Sequence, residues 1–587
     1  MLIRIMRYIT KKEWWLIAAS LALVFVQVWL ELALPGQMNR ITVLVQEETA
    51  QLGPLLETGG WMLLCALGSM AASILGAFLA AQISAGYAMR LREQVFQRVQ
   101  SFSLEEMQRF SVPSLITRST NDVTQVQTIV VVGLQVVVRA PIMAGLAIGK
   151  IVGRQWQWTL ATGVSVAVIL LLYLVVFLLA EPKFRSMQRL TDDLNRVTRE
   201  HLTGLRVVRA FNAERFQHGK FMEANQALTN TNLFVGRVMA LMMPCINLVL
   251  NGLTLAVYWL GAALIASAAV ELRVGLFADM VVFSSYAMQI IFSFMMLVEV
   301  MIMAPRALVS ARRVLEVLET EPNIRDGEGA TPGAAGSVEF RDVSFRYPGD
   351  REDTLHHISF TARAGETVAI IGATGSGKTT LLDLVPRFYD VSGGSVLVDG
   401  VDVRRYRRGE LRRRLGVVTQ KAVLFTGTVA FNVAGEEEAA AAAPQQETLD
   451  AALDTAQAAE FVRELPEGSQ GRISQGGTNL SGGQRQRLSI ARALYRQPEI
   501  LLLDDAFSAL DYQTDRRLRS ALRQRQRDVT CLLVAQRIGT ILDADRIVVL
   551  DKGRVAGVGS HQSLMETCPI YREIAESQLS EEELRHV

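Results

Sequence analysis

The chain has almost no surplus of charge of either sign. Its 587 residues carry 60 Lys and Arg against 58 Asp and Glu, a formal charge of +2. A protein that neutralises phosphodiester backbones needs a basic face, so this balance argues against nucleic acid as the main partner. Cysteine is equally scarce. Cys65, Cys245, Cys531 and Cys568 are scattered without CxxC spacing, which argues against a zinc site or a disulfide framework and for buried thiols. The N-terminus has Arg4, Arg7, Lys11 and Lys12 ahead of an apolar run from Trp14, with no small-residue cleavage site. That run reads as an uncleaved first membrane span.

What is abundant is apolar surface. Hydrophobic residues make up 50% of the chain and the mean hydropathy is +0.24, too high for a water-soluble protein of this length. The length itself predicts two or more domains. Six stretches, at about 14–34, 60–84, 127–152, 157–180, 236–267 and 276–303, are long enough to cross a hydrocarbon core of roughly 30 Å. Between spans two and three, and between four and five, lie long connections rich in Arg, among them Arg90, Arg98, Arg118, Arg196, Arg199 and Arg206. The positive-inside rule places these connections and both termini in the cytoplasm. The connections keep helical periodicity, so each span is expected to continue into the cytoplasm, with tips at the breaks 111–115 and 211–216.

The organisation that follows is a transmembrane domain over 1–304, an amphipathic connecting helix and Gly/Pro/Ala linker over 305–336, and a soluble α/β domain over 337–587. The biased run "GEEEAAAAAPQQE" reads as a surface insertion.

The soluble domain carries the chemistry. "TVAIIGATGSGKTTLLDLV" is an apolar strand, a glycine-rich loop and a helix pattern, matching G-x-x-x-x-G-K-[ST] in the setting that phosphate binding requires. Gly372, Thr374, Gly375, Ser376 and Gly377 would turn backbone N–H groups onto phosphate, and Lys378 would reach the outer phosphates. The Thr379 hydroxyl, followed by Thr380, is a candidate Mg²⁺ ligand. In "ILLLDDAFSALD", Asp504 ends a buried strand, where the Mg²⁺ carboxylate of a P-loop nucleotidase belongs.

A third element, "NLSGGQRQRLSIARAL", with Ser481, Gly482, Gly483 and Gln484 opening a helix, resembles the signature motif of ABC transporters. Tyr347 resembles the aromatic that stacks on adenine, Gln420 the Q-loop glutamine that also approaches Mg²⁺, and Ser508 to Asp511 the D-loop. With six spans ahead of the nucleotide domain, the whole chain is similar to a half-size ABC exporter. The resemblance implies ATP and Mg²⁺ as cofactors, a second half-transporter as partner, and each ATP held between one chain's P-loop and the other's signature. Tips in that architecture dock on nucleotide domains and cross to the partner subunit.

Two positions depart from the family pattern. Asp505 stands where a catalytic glutamate is expected, and Gln536 where a histidine is expected. The shorter carboxylate is withdrawn by about 1 Å or more, a misplacement that can cost on the order of 10²-fold. Glutamine cannot carry a proton at neutral pH. A weak hydrolysis half beside an intact signature implies one subunit of a heterodimer whose partner supplies the missing groups.

The resemblance implies export of amphipathic small molecules, drugs or lipids, across the cell membrane. Met288, Phe292, Met295, Met296 and Glu299 on the sixth span are candidate path residues, with Glu299 alternatively pairing with Arg306. Glu31 and Arg139 are two more ionisable groups at membrane depth. Import of metal chelates and an ATP-gated regulatory role remain open as alternative readings.

Overall fold

The computed structural model describes residues 2–46, 52–330, 333, 336–435, 446–525 and 528–579; most of the biased run at 435–447 falls outside them. The chain divides into two units, Met1–Gln100 with Pro113–Thr320, and Ser101–Val112 with Glu321–Val587.

The first unit is all helix. Six helical runs are long and apolar enough to cross a membrane: Lys11–Val45, Leu52–Ser101, Val112–Ile151, Trp156–Thr203, Glu214–Ser267 and Leu272–Glu319. Their outer faces are apolar as well, with Trp15, Leu63, Phe78 and Leu178 all exposed, the pattern of helices whose solvent is lipid. Inside, Trp158 is fully buried and lies against Phe283 with ring centroids 5.5 Å apart. Val28, Ile246, Leu253 and Val257 complete that layer. In lipid these contacts hold through close packing rather than through release of water. Ion pairs add direction: the largely buried Glu13 with Arg90, and the partly exposed Asp279 with Arg154, the latter carboxylate also accepting from Asn39 Nδ2 at 3.1 Å.

Two features differ from the sequence reading. The expected connecting helix at 305–320 does not exist separately, because helix Val270–Glu319 runs unbroken through Pro305. The first tip also lies earlier than 111–115. The chain leaves its helix at Ser101 and forms a short helix, Leu104–Phe110, and Val112–Thr117 already belongs to the next helix. The cause is a capping box: the Ser103 backbone N–H and hydroxyl both donate to Glu106 Oε2, at 2.7 and 2.6 Å. Pro113 at the second position of the following helix has no N–H to lose there. This tip rests on its own chain's nucleotide unit, through Gln108 Nε2 donating to the Tyr389 hydroxyl at 2.9 Å and the Asn323 N–H donating to Glu106 Oε1 at 3.0 Å. The second break, Phe211–Ala213, falls where expected.

The second unit is built on a six-stranded sheet in the order Arg554–Gly559, Arg546–Asp551, Thr367–Gly372, Thr530–Val534, Ile500–Asp504 and Leu415–Val418. All neighbours pair in parallel except the edge pair 554–559 with 546–551. Strand Ile500–Asp504 is buried at every position, which is why it reads as a continuous apolar run rather than an alternating one. A smaller antiparallel sheet, formed by Leu355–Ala362, Val338–Phe345, Gly393–Val398 and Val401–Asp402, shares a core with the first.

Glu106 makes three hydrogen bonds from one largely buried carboxylate. Burial would raise its pKa, but the bonds from Ser103 and Asn323 outweigh it and hold the carboxyl below its usual range. Glu106→Ala removes the cap, at a cost of about 1–3 kcal/mol locally. The expected outcome is faster amide hydrogen exchange over residues 103–110, with exchange in strand 500–504 unchanged.

Candidate functional site

The parallel register decides where the site lies. Val534 pairs with both Ile370 and Asp504, and Leu550 with Gly372, so neighbouring strands end at one level. The loops that leave those carboxyl ends carry the P-loop, Asp505 and Gln536. This is the edge at which open parallel sheets bind ligands.

The glycine-rich loop runs from Gly372 into helix Lys378–Leu384. Gly377, the residue before that helix, has φ +95°, and a Cβ there would meet Leu355 Cδ2 at 2.6 Å, so both conformation and space require glycine. Lys378 is buried and folds back, donating from Nζ to the carbonyls of Gly372 and Ala373 at 2.8 Å each. Burial pulls its pKa down, against the opposing charges of Asp504 and Asp505. A phosphate would give this ammonium better partners than two carbonyls.

Thr379 Oγ1 donates to Asp504 Oδ1 at 3.1 Å. These are two hard oxygens, one from the start of a helix and one from the end of a strand, meeting at one point, a donor set suited to Mg²⁺. Burial raises the Asp504 pKa, as does the charge of Asp505, against the Thr379 hydrogen bond and Lys378. The Tyr347 hydroxyl exchanges a hydrogen bond with Thr380 Oγ1 at 2.8 Å, and its ring stands edge-on to Phe345 and Tyr389. Thr374 and Gly375 are exposed at the loop tip, and Ser376 is buried beneath it.

Asp505 has an unusual setting. Its backbone is left-handed, φ +48°, a conformation that aspartate tolerates better than most residues. Its Oδ2 accepts from Gln536 Nε2 at 3.0 Å and from Gln420 Nε2 at 3.4 Å. The two positions that depart from the expected pattern are therefore bonded to each other. The carbonyl of Asp505 in turn accepts from the Ser508 hydroxyl at 2.9 Å, tying the following loop to it.

The signature is well formed and faces outward. Ser481 is an exposed N-cap whose hydroxyl accepts from the Gln484 N–H at 3.2 Å, while Gln484 Oε1 accepts from the Ser481 N–H at 2.8 Å. A Cβ on Gly483 would meet the Ala509 carbonyl at 3.2 Å, so this turn of helix lies directly against the loop 508–511. Asp511 caps the next helix through the Thr514 N–H and hydroxyl, at 2.9 and 2.7 Å, and those bonds hold its carboxyl below the usual range.

Among the sixth-span candidates, Phe292 and Met296 line a cavity of about 490 Å³. Met288 and Met295 instead pack against the apolar interior of the helices. Glu299 is exposed, outside that lining, and makes no ion pair with Arg306 among the described residues.

Two residues escaped the sequence reading. Asp383 lies four residues after Thr379 on the P-loop helix, a spacing that could have flagged it; burial first, then the charge of Asp504, pushes its carboxyl up to about 6. Gln578, on the last described helix, accepts from the Ile538 N–H at 2.8 Å and donates to the Gln536 carbonyl at 2.9 Å. No sequence pattern marks such a clamp.

The fold and site define a membrane-spanning protein with a P-loop nucleotide domain. Residues 355–508 match the family described as ABC transporter, and residues 15–294 the ABC transporter transmembrane region. An uncharacterised ABC transporter ATP-binding protein of Mycobacterium tuberculosis is 42% identical over 79% of each chain. An ATP-dependent lipid A-core flippase of Aromatoleum aromaticum is 35% identical over 80% of this chain and 76% of its own. The solved structure of a bacterial Atm1-family ABC exporter with ATP bound superposes with a TM-score of 0.78 at 26% identity, covering 96% of this chain and 98% of that one. The chain belongs to the ABC transporter family and is a half-size exporter, a multi-pass membrane protein with an ATP-binding domain.

A carboxylate whose folded pKa is raised binds its proton more tightly folded than unfolded, so its contribution worsens as pH rises from about 4 to 6 and stays unfavourable above. Asp383→Asn should therefore stabilise the nucleotide-free chain at pH 7.5 by roughly 1–3 kcal/mol. The gain in the nucleotide domain's melting temperature should shrink towards pH 4.

Proposed function

We propose that this chain is one half of a heterodimeric exporter of amphipathic small molecules, in which its own P-loop retains ATP at a hydrolysis-impaired site and its signature completes the partner's competent site. The observation that carries this reading is the bond from Gln536 Nε2 to Asp505 Oδ2 at 3.0 Å. Two groups that should activate water instead satisfy one another, with Gln420 adding a second amide at 3.4 Å. A general base needs a free lone pair within hydrogen-bond reach of the water. Here one carboxylate oxygen is committed to two amides, and the side chain is one methylene shorter than the glutamate expected at this position.

Binding functions are kept. Lys378 and the loop Gly372 to Gly377 would hold the phosphates, Tyr347 would stack on the base, and Thr379, Gln420 and Asp504 would hold Mg²⁺, which supplies charge neutralisation at the phosphates. Ser481, Gly482 and Gly483 would donate to the γ-phosphate of the partner's nucleotide from a helix start. Ser508 to Asp511, joined to the Asp505 carbonyl, would link one site to the other. The Arg-rich extensions favour a cytoplasmic nucleotide domain. A relative named as a lipid A-core flippase supports lipids, as well as drugs, within the substrate class.

The test is ATP hydrolysis by the chain purified alone in lipid nanodiscs. Little turnover is expected, unchanged by Asp505→Asn. The double substitution Asp505→Glu with Gln536→His should raise it by on the order of 10-fold to 100-fold. Rapid hydrolysis by the unmodified lone chain would sink the reading.

A further inference from the structure

The transmembrane unit contains a cavity of about 490 Å³. Its lining includes the charged pair Glu31 and Arg139, while Phe292, Met296, Met143 and Met38 supply adaptable apolar walls. Such a volume suits a ligand of drug or single-chain lipid size.

The ion pair is asymmetric. Glu31 Oε1 accepts from Arg139 Nη2 at 2.9 Å, Gln27 Nε2 at 3.0 Å and Ser69 Oγ at 3.4 Å, and Oε2 accepts from the same Nη2 at 2.9 Å. Three of these bonds fall on Oε1 and one on Oε2. Arg139 engages the carboxylate end-on, through a single nitrogen, so the hydrogen bonds of its Nε and Nη1 are not used in this pair. A guanidinium carries five N–H donors in a planar fork, suited to two parallel bonds to a phosphate or carboxylate. The same cavity is lined by Gln289, whose amide oxygen is buried without a hydrogen-bond partner. A buried acceptor without a partner costs roughly 1–3 kcal/mol, which the remaining O–H of a singly protonated phosphate head would recover.

We propose that this cavity, which Gln289 also lines, binds an amphiphile with an anionic oxygen-acceptor head seated on the free edge of the Arg139 guanidinium, its tail lying along Phe292 and Met296. The proposal deepens the export reading given above and rests on it. It narrows the substrate class: a cationic head would compete with Arg139, Gln27 and Ser69 for the Glu31 carboxylate, whereas an anionic head meets unused donors. Glu31 has a defined task in this arrangement. It holds the arginine in a fixed rotamer at membrane depth and offsets the cost of placing a cation there.

Binding to the nucleotide-free full chain in phosphatidylcholine nanodiscs tests this, with empty nanodiscs as the baseline. Three probes are compared: dodecyl phosphate, dodecyltrimethylammonium with the same tail, and inorganic phosphate. Saturable binding of dodecyl phosphate is expected, at least about tenfold tighter than the ammonium, with no measurable binding of inorganic phosphate. Arg139→Lys keeps the charge and its pairing with Glu31 but lacks the fork, and should lose most of the preference. The pair Glu31→Gln with Arg139→Gln should abolish it. Equal affinity for both amphiphiles, absence of saturable binding, or inorganic phosphate binding as tightly as dodecyl phosphate would each overturn the proposal. So would a preference that survives both variants. Because no nucleotide is present, failure here leaves the hydrolysis comparison standing, and failure of that comparison leaves a measured preference standing.

Discussion

The level termination of the parallel strands is the constraint on which the nucleotide site depends. Strands 367–372, 500–504 and 530–534 are joined by ladders in which Val534 faces Ile370 on one side and Asp504 on the other. A slip of one residue in any ladder would reverse which face each side chain occupies. The buried runs "AIIG", "ILLL" and "CLLV" forbid that slip, because it would bring charged neighbours into a core covered on both faces. The chemistry at the strand ends is thus positioned by hydrophobic register rather than by the polar residues that perform it. This explains why Thr379 and Asp504, distant in sequence, meet at 3.1 Å without further support.

Set on that frame, the two halves of the nucleotide machinery differ in quality. The signature is capped, outward-facing and packed against the loop that follows Asp505. The hydrolysis half is locked inward by amides: Gln420 and Gln536 converge on one carboxylate oxygen, and Gln578 holds the backbone of the Gln536 loop at two points. Glutamine is a donor that never changes charge, whereas a histidine in its place would titrate near neutral pH. On the proposed reading, this arrangement would favour retention of a bound nucleotide over its consumption.

The sequence made different parts of this visible for different reasons. The six spans were legible because lipid demands about 20 apolar residues per crossing, a signal carried by composition alone. The P-loop, Asp504 and the signature were legible because backbone geometry at phosphate allows few residues. The first tip is harder to place from sequence: "FSVPSL" holds a proline, a conspicuous breaker, yet the turn is set by Ser103 and Glu106, a quieter pair to which the Asn323 N–H, distant in sequence, adds a third hydrogen bond. The continuity of helix 270–319 through Pro305 was hidden likewise, since a proline ends a helix only where the packing around it permits. Of the sixth-span residues, Phe292 and Met296 were separable from Met288 and Met295 only by which face the neighbouring helices cover. Periodicity gives a face; it does not say which neighbour lies there.

The left-handed backbone of Asp505 bears on how this site could change over time. Aspartate is among the residues that tolerate that conformation, and most others incur a cost there of up to about 1–2 kcal/mol. A mutation to glutamate would add reach towards a phosphate but lose part of this conformational preference, and it would displace the carboxylate from both glutamines. On the proposed reading, a step from Asp505 to glutamate would carry a backbone cost that the reverse step does not, a local ratchet that would make loss of hydrolysis easier for a lineage to acquire than to undo.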